Sequence, residues 1–475
     1  MAKQKRKLKG IEKCPTGVKG LDEITEGGLP RGRPTLVCGS AGCGKTLLAM
    51  EFVVRGIQQY NEPGVFMAFE ENADELATNV ESLDMDVRQL VKKNKMAIDY
   101  VHIERSEIEE TGEYNLEGLF IRLESMIDQV KAKRVVLDTI EALFAGLPNE
   151  AILRAELRRL FRWLKSKGVT AIVTGEKGEK SLTRHGLEEY VSDCVIYLDH
   201  RIINQVATRR LRIIKYRGSH HGTNEYPTMI DETGLSVLPI SSLGLDYSVT
   251  NERISTGIDE LDAMMEGKGF FRGSSILLSG TAGTGKSSIA AAFASSTCRN
   301  GEKCLYFSFE ESPNQIIRNM SSIGIDLNKW VKKGLLKYHS SRPTLMGLEA
   351  HLVKIHQKIE DFKPTSVIID PITNLTSIGG QAEIKSMLTR VVDYIKTNKI
   401  TGLFTSLTEA ASASEQSEAG ISSLMDTWIL LRNTEVNGDR VRLLYILKSR
   451  GMAHSSKVRH FMLTNKGIKL LEAAE

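Results

Sequence analysis

Two lysines, each followed by a hydroxyl residue, close runs in which glycine recurs. Lys45-Thr46 ends Gly39-Ser40-Ala41-Gly42-Cys43-Gly44, and Lys286-Ser287 ends Gly280-Thr281-Ala282-Gly283-Thr284-Gly285. A backbone that wraps a polyphosphate must turn sharply, expose several N–H groups and keep Cβ atoms out of the way. Glycine meets all three conditions. The lysine then brings positive charge to the β- and γ-phosphates, and the hydroxyl ligates Mg2+. The predicted nucleotide-binding residues are Gly42, Cys43, Gly44, Lys45, Thr46 and Leu47 in one loop, and Gly283, Thr284, Gly285, Lys286, Ser287 and Ser288 in the other. ATP and Mg2+ are the expected cofactors, with Thr46 and Ser287 on the metal. Glycine turns without a ligand are the bland alternative, and two such loops, each between an apolar run and a helical stretch, argue strongly against it.

Carboxylates complete the pattern. Asp138 and Asp370 end apolar runs downstream of the loops, where an acidic side chain holds the far side of the metal shell. A lone aspartate at a strand end is ordinarily a helix cap, so recurrence in both halves carries the reading. Glu70-Glu71 and Glu310-Glu311 each end the apolar strand that follows the loop helix, which sets the first glutamate beside the γ-phosphate, able to orient or deprotonate an attacking hydroxyl. The adjacent like charge favours a raised pKa and a basic role. All four are candidate catalytic residues, weighed against a solvated acidic turn. Lys215-x-Arg217 and Lys448-x-Arg450 lie late in each half, as surface charges or as cations reaching a neighbouring subunit's γ-phosphate in a ring.

The chain is written twice. Pro15–Glu23 recurs at Ser255–Ala263, the glycine loops recur, Phe69-Glu70-Glu71 returns as Phe309-Glu310-Glu311, Val136-Leu137-Asp138 as Ile368-Ile369-Asp370, and Lys215-Tyr216-Arg217-Gly218 as Lys448-Ser449-Arg450-Gly451. The offsets all lie between 232 and 241 residues. A period this long means duplicated domains rather than a solenoid. The division predicted is a basic tail over 1–12, a first domain over 13–240, a linker over 241–250 and a second domain over 251–475.

Within each half, apolar runs (Thr35–Cys38, Gly64–Phe69, Arg134–Leu137, Thr170–Val173, Ser275–Leu278) alternate with stretches of helical period. Leu47–Gln58 and Ser288–Arg299 follow the loops. Leu116–Lys131 and Ala151–Lys167 come later, the latter with Leu153, Leu157, Leu160, Phe161 and Leu164 on one face. The fold class is therefore α/β, two tandem phosphate-loop domains each with a mostly parallel sheet flanked by helices.

Composition bounds the rest. With 41% apolar and 26% charged residues and a net charge of +4 over 475 residues, the chain reads as soluble and globular. The six cysteines show no metal-ligand spacing, and no run is long and apolar enough to span a membrane, so a reducing cytoplasm is expected. The basic run Lys3–Lys9 reads as a solvated tail. Aromatic and basic residues do not interleave as in a single-strand binder, so nucleic acid is not an expected partner.

Taken in order and written twice, strand, phosphate loop, Glu-Glu, Asp and Lys-x-Arg-Gly resemble the KaiC family of circadian clock ATPases, within the RecA-like superfamily. Gly27-Gly28-Leu29-Pro30-Arg31-Gly32, Gly218–Pro227 and Gly402-Leu403-Phe404-Thr405 add to the resemblance, which covers about residues 13 to 466. It implies a homohexameric double ring, alone or as a dimer of hexamers, with ATP between subunits, slow hydrolysis in the first ring, and autokinase and autophosphatase activity in the second. Glu310 would then be the phosphotransfer base. Lys215, Arg217, Lys448 and Arg450 would touch the neighbour's nucleotide, with Tyr216, Ser219, His221, Ser449 and His454 also counted as nucleotide-binding. Ser422 and Ser423 fall at the family's adjacent phosphoacceptors. A KaiB-like protein or a response-regulator/histidine-kinase pair is the implied partner.

Aligning Asp193 with Asp426 sets Glu189-Tyr190 of the first half against Ser422-Ser423 of the second, a carboxylate and a phenol against two small hydroxyls. The bland alternative is a serine-rich loop, with Ser412, Ser414 and Ser417 close by. Departures from the family pattern are Ser423 in place of threonine, Pro371 after Asp370 in place of a hydroxyl residue, Ile323 where an aromatic would stack on adenine, and an end at Glu475 without the regulatory tail. A stress or signalling role is therefore expected ahead of a circadian oscillator. A DNA-dependent ATPase and an ATP-gated scaffold without kinase chemistry stay open.

Overall fold

The computed structural model describes residues 10–101, 116–144, 150–178, 182–183, 192–203, 206–239, 249–408, 421–436 and 438–472. Lys3–Lys9, most of the expected linker, Glu189-Tyr190 and Ser412, Ser414 and Ser417 lie outside the described residues. The chain divides into two units, Met1–Ser242 and Leu243–Glu475.

The first unit is built on nine strands: β1 (Pro34–Gly39), β2 (Gly64–Ala68), β3 (Met96–Tyr100), β4 (Arg134–Asp138), β5 (Thr170–Glu176), β6 (Cys194–Ile203), β7 (Val206–Tyr216), β8 (Tyr226–Asp231) and β9 (Gly234–Val237). Their order is β9-β8-β7-β6-β1-β5-β4-β2-β3. From β6 to β3 every pairing is parallel, and β7, β8 and β9 extend the sheet antiparallel. Alternation along the strands feeds two cores. Phe66, Val136 and Ile172 point to the side of α1 (Lys45–Tyr60), which buries Leu48, Phe52 and Val53. Val65, Val135, Leu137 and Val173 point to the side of α2 (Glu117–Val130) and α3 (Glu150–Ser166). Leu153, Leu157, Leu160, Phe161 and Leu164 all turn inward as their spacing predicts. Each fully buried side chain of this size stabilises the fold by about 1.5–3 kcal/mol relative to exposure.

The second unit repeats the plan with β10 (Ser275–Gly280), β11 (Cys304–Ser308), β12 (Leu336–Ser340), β13 (Ser366–Asp370), β14 (Thr401–Leu407), β15 (Thr427–Val436), β16 (Asp439–Ser449), β17 (Arg459–Thr464) and β18 (Gly467–Glu472) in the order β12-β11-β13-β14-β10-β15-β16-β17-β18. Its loop helix is α4 (Lys286–Arg299), and α5 (Leu348–Phe362) and α6 (Gln381–Thr397) pack against each other. Both sheets thus have the mostly parallel α/β architecture predicted.

One expectation is corrected. The loop helices begin at Lys45 and Lys286 themselves, two residues before the predicted Leu47 and Ser288, because Gly44 and Gly285 take left-handed φ values of 102° and 96° as their N-caps. At Gly285 a Cβ would also meet Phe461 Cε1 at 2.4 Å, so no other residue fits without displacing the ring. All six cysteines are buried free thiols. Among the described residues, no helix is long and apolar enough to cross a membrane.

Candidate functional site

Both phosphate loops sit at the C-terminal end of a central strand and open a helix, the edge of a parallel sheet where ligands bind. Each lysine folds back over its own loop. Lys45 Nζ donates to the carbonyls of Gly39 at 3.0 Å and Ser40 at 3.1 Å, and Lys286 Nζ to those of Gly280 at 2.7 Å and Thr281 at 2.8 Å. Burial pushes the Lys286 ammonium down to about 8, against the pull of Asp370 and Glu310. A cation that has shed its water and faces two carboxylates is set to trade loop carbonyls for phosphate oxygens. A cavity of about 350 Å³ opens here in the second unit, lined by Gly285, Lys286, Ser287, Glu310, Glu311 and Asp370.

On the metal side of the first unit, Thr46 Oγ1 donates to Asp138 Oδ2 at 2.8 Å, and Thr174 donates to Asp138 Oδ1. Burial pushes the Asp138 carboxyl up; the Thr174 and Thr46 hydroxyls and Lys45 oppose this, and Glu70 adds to it. The second unit differs. Thr405 donates to Asp370 Oδ1 as Thr174 does, but Oδ2 accepts from the Tyr306 phenol at 2.6 Å. Among the described residues, no cluster of three His, Cys, Asp or Glu side chains could hold a metal. One loop hydroxyl beside one carboxylate fits Mg2+, which takes few protein ligands and draws the rest from phosphate and water.

Of the acidic pairs, Glu310 and Glu311 line the second cavity with Lys286, and Glu70 Oε1 accepts from Thr139 Oγ1 at 3.0 Å. Pro371 stands where Thr139 stands in the first unit and offers no hydroxyl to Glu310. Asn79 donates to Glu71 and Asn319 to Glu311, both at 3.3 Å. The Glu311 carboxyl is raised, by burial first and then by Asp370 and Glu310, so the like-charge effect inferred from the sequence ranks behind burial.

The Lys-x-Arg segments lie elsewhere. Tyr216 on β7 pairs with Cys194, which pairs with Thr35 at the start of β1, whereas the loop leaves β1 beyond Gly39, opposite Leu198. Four residues of strand, roughly 13 Å, separate the two levels. The second unit repeats this, with Ser449 opposite Thr427 beside Ile276 and the loop beyond Gly280. Lys215, Arg217, Lys448 and Arg450 therefore sit at the opposite end of the sheet from their own phosphate loops. Arg217 lies 3.8 Å from Asp193, Lys448 Nζ donates to the Ser422 carbonyl at 2.7 Å, and Arg450 Nη2 donates to that of Ser423 at 2.9 Å. Ser422 and Ser423 start a short 3-10 turn, Ser422–Leu424.

The other residues predicted to bind nucleotide make contacts within the chain. Tyr216 is buried with its hydroxyl on the Gly28 carbonyl at 2.7 Å, and His221 stacks on its ring. Ser219 accepts from Lys13 at 2.6 Å, and Ser449 bonds Thr427 at 2.9 Å. His454 is half-buried, Leu47 packs on the core and Ser288 is buried.

Three site residues escaped the sequence reading. Arg442 Nε donates to the Gly283 carbonyl of the second loop at 3.1 Å, and its counterpart Arg209 lies close enough to Cys43 of the first loop to lower its thiol pKa against the stronger effect of burial. Their common offset of 233 residues, shared with Lys215 and Lys448, was the available signal. Tyr306 is the third, hidden in an apolar strand.

Comparison with known proteins agrees with this geometry. The family model described as KaiC ATPase matches residues 14–242 and again 254–475. The chain is 57% identical to the circadian clock protein KaiC2 of Synechocystis sp. over 97% of its length and 82% of that relative's. It is 37% identical to the circadian clock oscillator protein KaiC of Parathermosynechococcus lividus, over 98% of this chain and 86% of the relative, and 37% identical to the circadian clock protein KaiC3 of Synechocystis sp., over 97% and 92%.

Proposed function

The chain belongs to the KaiC family of ATPases, and on that premise we propose that it is an ATP hydrolase that also phosphorylates and dephosphorylates itself on Ser422 and Ser423. It works as a homohexameric ring in the cytoplasm with Mg·ATP between subunits. The observation that carries this reading is the placement of Lys448 and Arg450. They lie a strand's length from their own phosphate loop and bond the carbonyls of the two acceptor residues. Cations so placed are out of reach of their own loop, and in a ring they would meet a neighbouring copy's nucleotide beside the acceptor segment.

In the first unit, Lys45 holds the polyphosphate, Thr46 and Asp138 the cation, and Glu70 orients water for hydrolysis. In the second, Lys286, Ser287 and Asp370 take these roles and Glu310 accepts the proton of the attacking serine hydroxyl. Mg2+ when bound offsets charge on the β- and γ-phosphates. Phosphorylation places about −1.5 to −2 charges beside Lys448 and Arg450, enough to remodel a subunit contact and be read by a KaiB-like or response-regulator partner in timing or stress signalling.

The test is mass spectrometry of the full-length protein after incubation with Mg·ATP. Phosphate on Ser422 or Ser423, absent from Glu310→Gln, supports the proposal. Unmodified serines in a protein that hydrolyses ATP reduce it to an ATPase.

A further inference from the structure

The two units form an internal comparison at the metal side. Phe66 on β2 sits opposite Val136, and Tyr306 on β11 opposite Ile368, each two residues before the strand end that faces the aspartate. The two positions are equivalent and both are fully buried. The aspartates are equivalent too, and in both the Oδ1 atom accepts from a threonine of the next strand, Thr174 or Thr405. They differ at Oδ2. That of Asp138 turns to the loop hydroxyl of Thr46, whereas that of Asp370 turns into the core to Tyr306. Among the described residues, Ser287 has no hydrogen bond to Asp370.

We propose that Tyr306 is a positioning residue for the metal side of the second site, holding Asp370 away from Ser287 so that this site needs more Mg2+ to retain its nucleotide than the first. The phenol's hydrogen bond occupies Oδ2 and stabilises the carboxylate charge itself, leaving less of it for a cation. The phenol is held by burial and by the Tyr338 ring, with centroids 5.2 Å apart, so no water competes for the bond. Thr405 keeps Asp370 in place without it, leaving Oδ2 open to the Ser287 hydroxyl as Asp138 is to Thr46. The inference rests on the nucleotide-binding reading of the site.

The experiment titrates Mg2+ into the full-length protein with a fluorescent, non-hydrolysable ATP analogue. The second-site step is identified as the one that Lys286→Ala removes. Tyr306→Phe is expected to move that step to lower Mg2+ by about tenfold, the scale of outer-shell effects on metal affinity, and to leave the first step in place. The reciprocal Phe66→Tyr is expected to raise the Mg2+ requirement of the first step. A Tyr306→Phe protein with the parent's melting temperature and an unmoved or upward-shifted step overturns the proposal. If that variant fails to fold, an unmoved first step in Phe66→Tyr overturns it instead. Absence of any Mg2+-dependent step sensitive to Lys286→Ala sinks the nucleotide reading rather than the role of Tyr306.

Discussion

Thr46 and Asp138, separated by 92 positions in the chain, share a hydrogen bond of 2.8 Å that joins the start of the loop helix to the end of a strand two places away in the sheet. The bond fixes the two side chains proposed to hold the cation relative to each other. Asp138→Asn keeps an oxygen for Thr46 but removes the charge. Nucleotide affinity at the first site in Mg2+ should fall at least about tenfold, with little change when Mg2+ is chelated. Calorimetry with and without EDTA measures this, and equal losses in both would assign the aspartate a purely structural role.

Lys286 predicts a proton linkage. Its folded value of about 8 lies below the ordinary 10.5, so between these values the unfolded chain holds a proton that the folded chain lacks. Stability therefore gains from this group as pH rises from about 8 to 10.5, and the buried charge is costly below 8. Binding a polyphosphate favours the charged form. Nucleotide association at the second site should take up protons above pH 8 and weaken as pH rises. Calorimetry in buffers of different ionisation enthalpy reads the uptake, and a binding heat independent of the buffer above pH 8 would refute it.

Glu51 on α1 gives the opposite slope. It is buried, accepts from the Leu235 N–H, and is pushed up to about 7 by burial first, with Asp231 adding to the shift and Arg55 opposing it. Between about 4.5 and 7 the folded chain holds the extra proton, so stability contributed by this group is present at low pH and lost as pH rises through 7. Glu51→Gln should flatten that part of the profile and stabilise the first unit at pH 8 by up to about 3 kcal/mol. Melting curves from pH 4.5 to 8 decide it; parallel curves for the two proteins would refute the assignment.

Arg134 is fully buried, paired with Glu62 at 2.7 Å, and donates to the carbonyls of Phe52 and Pro15, both at 2.8 Å. Ser366 holds the equivalent place in the second unit. Arg134→Met should destabilise the first unit by about 3 kcal/mol, since among the described residues Glu62 then keeps Arg31 alone as a charged partner. Hydrogen exchange should show this loss in Phe52 and Phe66 and not in Phe293 and Tyr306.

Much of this architecture was legible because its signals are local. Apolar runs such as Arg134–Leu137 announce buried strands, and the glycines, lysines and hydroxyls of the two loops lie within eight residues of one another. The antiparallel extension was not, because β7 carries Arg209, Arg210, Arg212 and Lys215 and so hides its period in charge. Nor was the choice of partner for each aspartate. Thr46, Thr174 and Tyr306 reach Asp138 or Asp370 across the sheet, and only strand order determines that. The position of Lys448 and Arg450 at the far end from their own loop follows from register, which spacing does not encode.

The grip of Lys448 and Arg450 on the turn at Ser422–Leu424 has a mechanical consequence. Their bonds land on successive carbonyls, so the turn is fastened at two adjacent points. Ser275 Oγ adds a third hold, on the Leu424 carbonyl at 3.4 Å. Two cations acting in parallel on one short stretch of backbone tie the end of β16 to that turn, so a displacement of either element is passed to the other.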